Sequence, residues 1–183
     1  IKDNTLKVTG LTNQFTAQPV LVTGVGTPAT KETPVDDILD DHMIKNGEAN
    51  DVLKDFNAAN LDNLYIKLVG ANGYTGTEYV KVKVDLSSIV ATAKYVSGTT
   101  YTYTIENADL ARLVTNHHKE LTFTLGKSSD AKTKVKTTDF KAKDDVVTLT
   151  IDQNSTTGLD KVTVSGAANS ENVTGTATFT ITA

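Results

Sequence analysis

Leu121-Thr122-Phe123-Thr124-Leu125 places an apolar side chain at every second position and threonine between them. Because successive side chains of an extended strand point to opposite faces, such a segment has one apolar and one hydroxyl-bearing face. The same period recurs in Tyr101-Thr102-Tyr103-Thr104-Ile105, Val147-Thr148-Leu149-Thr150-Ile151 and Ala177-Thr178-Phe179-Thr180-Ile181. Lysine takes the alternate position in Leu64-Tyr65-Ile66-Lys67-Leu68 and in Val80-Lys81-Val82-Lys83-Val84-Asp85-Leu86. Leu6 to Thr9, Val20 to Val25 and Lys161 to Val164 are weaker strand candidates. Asn72-Gly73, Gly76, Ser97-Gly98, Gly158 and Gly166 supply turns between them. The pattern predicts a mainly β chain of antiparallel hairpins.

Composition agrees. There are 31 threonines, aromatic content of 6% and no tryptophan; β-branched side chains are stiff at χ1 and fit a pleated surface. No cysteine is present, which excludes disulfides, thiolate metal sites and a cysteine nucleophile. A net charge of −4 with one arginine, Arg112, argues against a nucleic-acid footprint. No apolar run approaches the roughly 20 residues of a membrane helix, and Ile1-Lys2-Asp3-Asn4 lacks the apolar region of a signal peptide, so any export signal or wall anchor would lie outside this chain.

Thr33 to Asn60 changes period. Val35, Ile38, Leu39 and Met43, then Val52, Leu53 and Phe56, recur at helical intervals. Thr33 suits a cap, Pro34 the first helical position, Asp36 the capping box and Gly47 the stop. A further short helix is expected over Asp109 to Thr115, capped by Asn107, with Leu110, Leu113 and Val114 inward. The organisation expected is a module over residues 1–118 with a helical insertion near 33–60, and a smaller β module over 119–183. Lys127 to Asp145 is charged and poor in apolar residues, a loop or an edge strand.

Few residues point to chemistry. Gly126-Lys127-Ser128 lacks the earlier glycine of a phosphate loop and no helix is expected after it. Ser129 and Lys132 have a serine–lysine spacing without its companion motifs. His117-His118, if extended, point apart and cannot share a metal, and His42 lies on an apolar helix face. Asp36, Asp37, Asp40 and Asp41 have two readings: stabilisation by a helix N-terminus, or ligation of calcium, which would relieve the repulsion within the Asp36/Asp40 and Asp37/Asp41 pairs. No other cofactor and no catalytic residue is expected. Lysines 127, 132, 134, 136, 141 and 143 alternate with Asp130, Asp139, Asp144 and Asp145 and read as a solvated face rather than a seat for an anionic wall polymer. Asn154 and Asn172 fit the glycosylation pattern. Tyr65, Tyr74 and Tyr79 are the candidates for a glycan platform.

Val96-Ser97-Gly98-Thr99-Thr100-Tyr101-Thr102-Tyr103-Thr104 resembles the turn-and-strand element of immunoglobulin-like domains in bacterial surface-layer and cell-surface proteins. The resemblance implies β-sandwich modules, an extracellular location at the cell surface or wall, and a non-enzymatic structural subunit that self-associates into a lattice. Tyr101 would then be the corner tyrosine that bonds upstream backbone. Thr174 to Thr182 resembles the closing strand of pilins, which would imply strand exchange into a filament, although the cysteines of those proteins are missing. An adhesin or carbohydrate-binding module is the remaining alternative, with a glycan or cell-wall polymer as partner.

Overall fold

The computed structural model describes residues 6–7, 10–23, 31–34, 49–50, 64–96, 101–152 and 158–182. The chain divides into two compact units, Ile1–Val84 and Asp85–Ala183.

In the first unit β1 (Leu6–Lys7) pairs antiparallel with β4 (Ala49–Asn50). A second sheet has the order β3-β2-β5-β6, from β2 (Phe15–Thr23), β3 (Lys31–Pro34), β5 (Leu64–Gly70) and β6 (Thr77–Lys81), all antiparallel. Ala17, Val20, Leu64 and Ile66 are its buried apolar residues. The β5–β6 hairpin turns on Asn72 and Gly73, both at positive φ (52° and 91°), the requirement of a turn that matches strand twist. Gly70 is needed nearby, because a Cβ there would lie 2.6 Å from the Tyr74 carbonyl oxygen. Pro19 sits inside β2 opposite Ile66, but β3 begins pairing only at Val20, so the missing N–H interrupts no ladder on that side.

Two expectations change in this unit. Thr33 and Pro34, assigned to a helix start, are the last residues of edge strand β3, where proline is tolerated because an outward N–H needs no partner. Ala49–Asn50, also inside the expected insertion, is strand β4. The rest of the expected helices, with Asp36, Asp37, Asp40, Asp41 and His42, lies outside the described residues.

β7 (Val84–Asp85) occupies the join between units. The expected single strand from Val80 to Leu86 is therefore divided: β6 ends at Lys81, and Leu86–Ser88 form a 3-10 turn. Asp85 caps that turn by accepting from the Ser87 N–H at 2.9 Å. Gly175, at φ +75°, passes so close that a Cβ would strike the Asp85 carboxylate.

The second unit holds β8 (Ala93–Tyr95), β9 (Thr102–Glu106), α1 (Ala108–His117), β10 (Leu121–Lys127), β11 (Asp130–Lys136), β12 (Asp139–Lys143), β13 (Val146–Thr150), β14 (Lys161–Gly166), β15 (Val173–Thr174) and β16 (Thr176–Thr182). Eight strands form a curled sheet in the order β11-β10-β14-β16-β8-β9-β13-β12, antiparallel except for β16 beside β8. Its two end strands are consecutive in the chain. Thr137 donates its N–H to Phe123 O on β10, and Thr138 donates to Thr150 O on β13, so two residues carry the backbone from one end of the sheet to the other. The threonine-alternating segments fill the interior as expected, with Ile105, Phe123, Leu125, Val147, Leu149, Val162, Val164 and Phe179 buried. The expected short helix is α1: Asn107 Oδ1 accepts from the Leu110 N–H at 2.8 Å, and Leu110, Ala111, Leu113 and Val114 are buried where α1 packs on β12 and β13.

The division expected at 118/119 falls inside this unit. No linker stands there, because α1 runs through a 3-10 turn (His118–Glu120) straight into β10, which pairs along its length with β14. Lys127 to Asp145 is not a loop but the two end strands, β11 and β12, with their turns.

Tyr101 has φ +65° and donates no hydroxyl hydrogen bond among the described residues; its carbonyl accepts from Ile151 N. The tyrosine that packs is Tyr103, 7% exposed and edge-on to Tyr95 with centroids 5.5 Å apart. Burial, then the neighbouring Tyr95, pushes the Tyr103 phenol above its usual range. Tyr103→Ala is therefore expected to cost about 3 kcal/mol through the lost ring and the cavity left, whereas Tyr101→Phe should change stability by less than about 0.5 kcal/mol. Urea melts of the two variants check the contrast.

Candidate functional site

The residues nominated for chemistry do not converge. Gly126 and Lys127 end strand β10, and the Ser128 N–H is taken by Asp160 Oδ1 at 2.7 Å, so no open phosphate-binding loop forms. Ser129 lies in a turn and Lys132 on β11, not on one helical face. Among the described residues no group of three His, Asp or Glu side chains is placed to hold a metal, and no described helix is long and apolar enough to cross a membrane.

Two features of the second unit were not apparent in the sequence. The first is an open groove of about 430 Å³ between the His118–Phe123 segment and the β11–β12 crossover, lined by His118, Lys119, Lys136, Asp139 and Phe140 among others. The His118 ring stacks on Phe140 at 4.0 Å with planes 9° apart, and its Nε2 lies 2.9 Å from Phe140 O. A carbonyl can only accept, so Nε2 carries the proton. Phe140 in turn meets Phe123 at 4.8 Å. The lining thus brings the His118 imidazole together with Lys119, Lys136 and Asp139. Only the placement of β12 brings Phe140 against His118.

The second is a carboxylate knot. Glu120 Oε2 accepts from the Glu171 and Asn172 N–H groups, each at 2.9 Å, and from the Ser170 hydroxyl; Oε1 accepts from Asn172 Nδ2 at 2.5 Å and lies 3.5 Å from His117 Nδ1. The Ser170 Oγ also accepts from Val173 N. Burial pushes the Glu120 carboxyl up, but the bonds from Ser170, Asn172 and Glu171 together outweigh it and hold the pKa at about 2. The hydrogen bonds from Ser170, Glu171 and Asn172 pin the loop over residues 170–173 to the start of β10. Asn172, a glycosylation candidate by pattern, commits its amide nitrogen here.

The three tyrosines proposed as a platform lie in the first unit and do not form one. Tyr65 and Tyr79 share a face, because Tyr79 pairs with Lys67 and Tyr65 with Lys81. However, Lys81 Nζ sits 5.1 Å from the Tyr65 ring centroid and occupies the face a sugar would need. Tyr74 is in the hairpin turn, its hydroxyl accepting from Gln14 Nε2 at 2.7 Å.

Protein-family models, characterised proteins and solved structures yield no match to this chain.

Glu120→Ala should lower stability by about 2 kcal/mol, because four N–H or O–H donors in a half-buried loop lose their acceptor. A carboxyl ionised in the fold down to about pH 2, and only to its ordinary 4.5 when unfolded, stabilises the protein above 4.5 and loses that contribution as pH falls toward 2. Denaturant melts between pH 6 and pH 2.5 should show the wild type approaching the variant as pH falls.

Proposed function

We propose that this chain is a structural, non-enzymatic subunit of an extracellular surface assembly, and that its second unit is an immunoglobulin-like β-sandwich. What supports the fold assignment is strand order: β8-β9-β13-β12 matches the A-B-E-D sheet of that fold, and β10-β14-β16 matches C-F-G with β11 added at the edge. The corner tyrosine of that fold stands at the start of strand F, which here is β14 and begins at Lys161, so neither Tyr101 nor Tyr103 takes that part.

The single observation carrying the assembly reading is Val80, an apolar side chain 50% exposed on β6, a strand without proline at the end of the strand order β3-β2-β5-β6. The edge strands of the second unit are guarded instead: β11 carries Lys132, Lys134 and Lys136, and β12 carries Lys141 and Lys143, the lysine-rich pattern that discourages strand addition. β16, expected as an exchanging terminal strand, lies between β14 and β8 and is not a free edge. Subunits therefore meet at β6 through the exposed Val80 side chain. A glycan-binding module remains the second reading, favoured by the His118 groove.

Sedimentation across a concentration series tests this. The wild type should associate reversibly, and Val80→Lys should weaken association at least tenfold while leaving the melting curve unchanged. Equal association of the two proteins would remove β6 as the site. A strictly monomeric wild type at high concentration would favour the binding module.

A further inference from the structure

In sequence the lysines of residues 127–161 alternate with aspartates; strand register separates them. Lys134 and Lys136 pair with Gly126 and Thr124 and so fall on one side of β11, about 6.7 Å apart; Lys132 precedes them in the stretch where the register shifts and Lys127 pairs with Asp130. Lys134 and Lys161 both pair with Gly126, one from each side, and lie in the same cross-strand row. The Lys161 stem lies over this glycine: a Cβ at Gly126 would be 3.2 Å from Lys161 Cε. The remaining outward positions of β10, β14 and β16 hold threonine, serine or glycine, among them Thr124 and Thr163 paired with each other.

The aspartates go elsewhere. Asp130 turns back to accept from Lys132 N at 2.9 Å and the Thr133 hydroxyl at 2.5 Å. Asp160 accepts from Ser128 N and Oγ, and Asp139 and Asp144 belong to β12 and its turn at the opposite end of the strand order. None of the four lysines has a carboxylate partner within ion-pair distance among the described residues. A protein whose net charge is −4 thus carries here four lysines among hydroxyls, with the nearby Asp130 and Asp160 carboxylates engaged by Lys132 N, the Thr133 hydroxyl and Ser128, and like charges gathered on one surface repel unless an anion lies among them.

We propose that the outward face of β11-β10-β14-β16 binds a linear phosphodiester polymer, its phosphates seated along Lys134 and Lys136, with Lys132 at the far end of the row, and against Lys161. Lysine is a point charge that suits tetrahedral phosphate approached from one side, and the face lacks the arginine forks that favour planar carboxylates. Threonine hydroxyls in the adjacent rows donate to the same oxygens. The row ends at Lys136, which also lines the His118 groove, so the polymer leaves the sheet beside Lys119. This surface is independent of the β6 edge, and binding does not require association.

The probe is poly(glycerol phosphate), titrated onto the full chain by calorimetry. Four phosphate contacts predict about a 50- to 150-fold loss of affinity between roughly 50 and 200 mM salt, by the counterion-release slope. Replacing Lys132, Lys134 and Lys136 together by glutamine should weaken binding at least tenfold and flatten the salt dependence, and Lys161→Gln alone should do so in part. The control, Lys141→Gln with Lys143→Gln on the opposite end strand, should bind as the wild type does; melting curves confirm that each variant is folded. The proposal is overturned if the wild type fails to bind at low salt, if both lysine sets lose affinity equally, or if hyaluronate of equal length binds as tightly, which would make the partner a carboxylate polymer or a nonspecific polyanion.

Discussion

The second unit depends on where its last strand goes. β16 pairs with β14 through residues 176–180 and with β8 through Ile181 and Thr182, so it is the seam between the β11-β10-β14 and β9-β13-β12 parts of the sheet. Ile181 N adds a bond to Asp160 O, and Ala177 and Phe179 bury the inward side. Without this seam the curled sheet would be two open sheets, each exposing an apolar face. The sheet is complete only when β16 is in place, and its β10–β14, β9–β13 and β16–β8 pairings span long sequence separations, which favours slow folding.

Much of this was legible. Alternation in the segments around Phe123, Tyr103, Leu149 and Phe179 specifies which face is inward, since a one-residue slip would bury threonine and expose the aromatic ring. Asn107 and the spacing of Leu110, Leu113 and Val114 likewise announce α1. Pairing order was not legible, because period two says which way a side chain points but not which strand lies alongside. For that reason Val80 to Leu86 reads as one strand although Asp85 ends it by capping a turn, and His117-His118 reads as a junction although the chain runs through it without a break.

Thr33 and Pro34 show another limit of local signals: a cap residue followed by proline fits a helix start and the end of an edge strand equally well, and pairing with Val20 and Leu21 decides. The interaction surfaces were hidden for the same reason. Lys134 and Lys161 are far apart in sequence and meet only through Gly126, the Glu120 knot joins residues some 50 positions apart, and His118 finds Phe140 only through the placement of β12. A lysine–aspartate alternation that looks solvated gathers Lys134, Lys136 and Lys161 on one sheet face once the strands pair.

Native-state hydrogen exchange of the β16 amides tests the account at its centre. If β16 is the seam, the amides of Ala177, Phe179 and Ile181 exchange only through global unfolding, with protection equal to that of Phe123 and Val164 in the neighbouring strands. Exchange of β16 at the rate of a fraying terminus, while β10 and β14 stay protected, would contradict the account and make the last strand free to leave its own sheet.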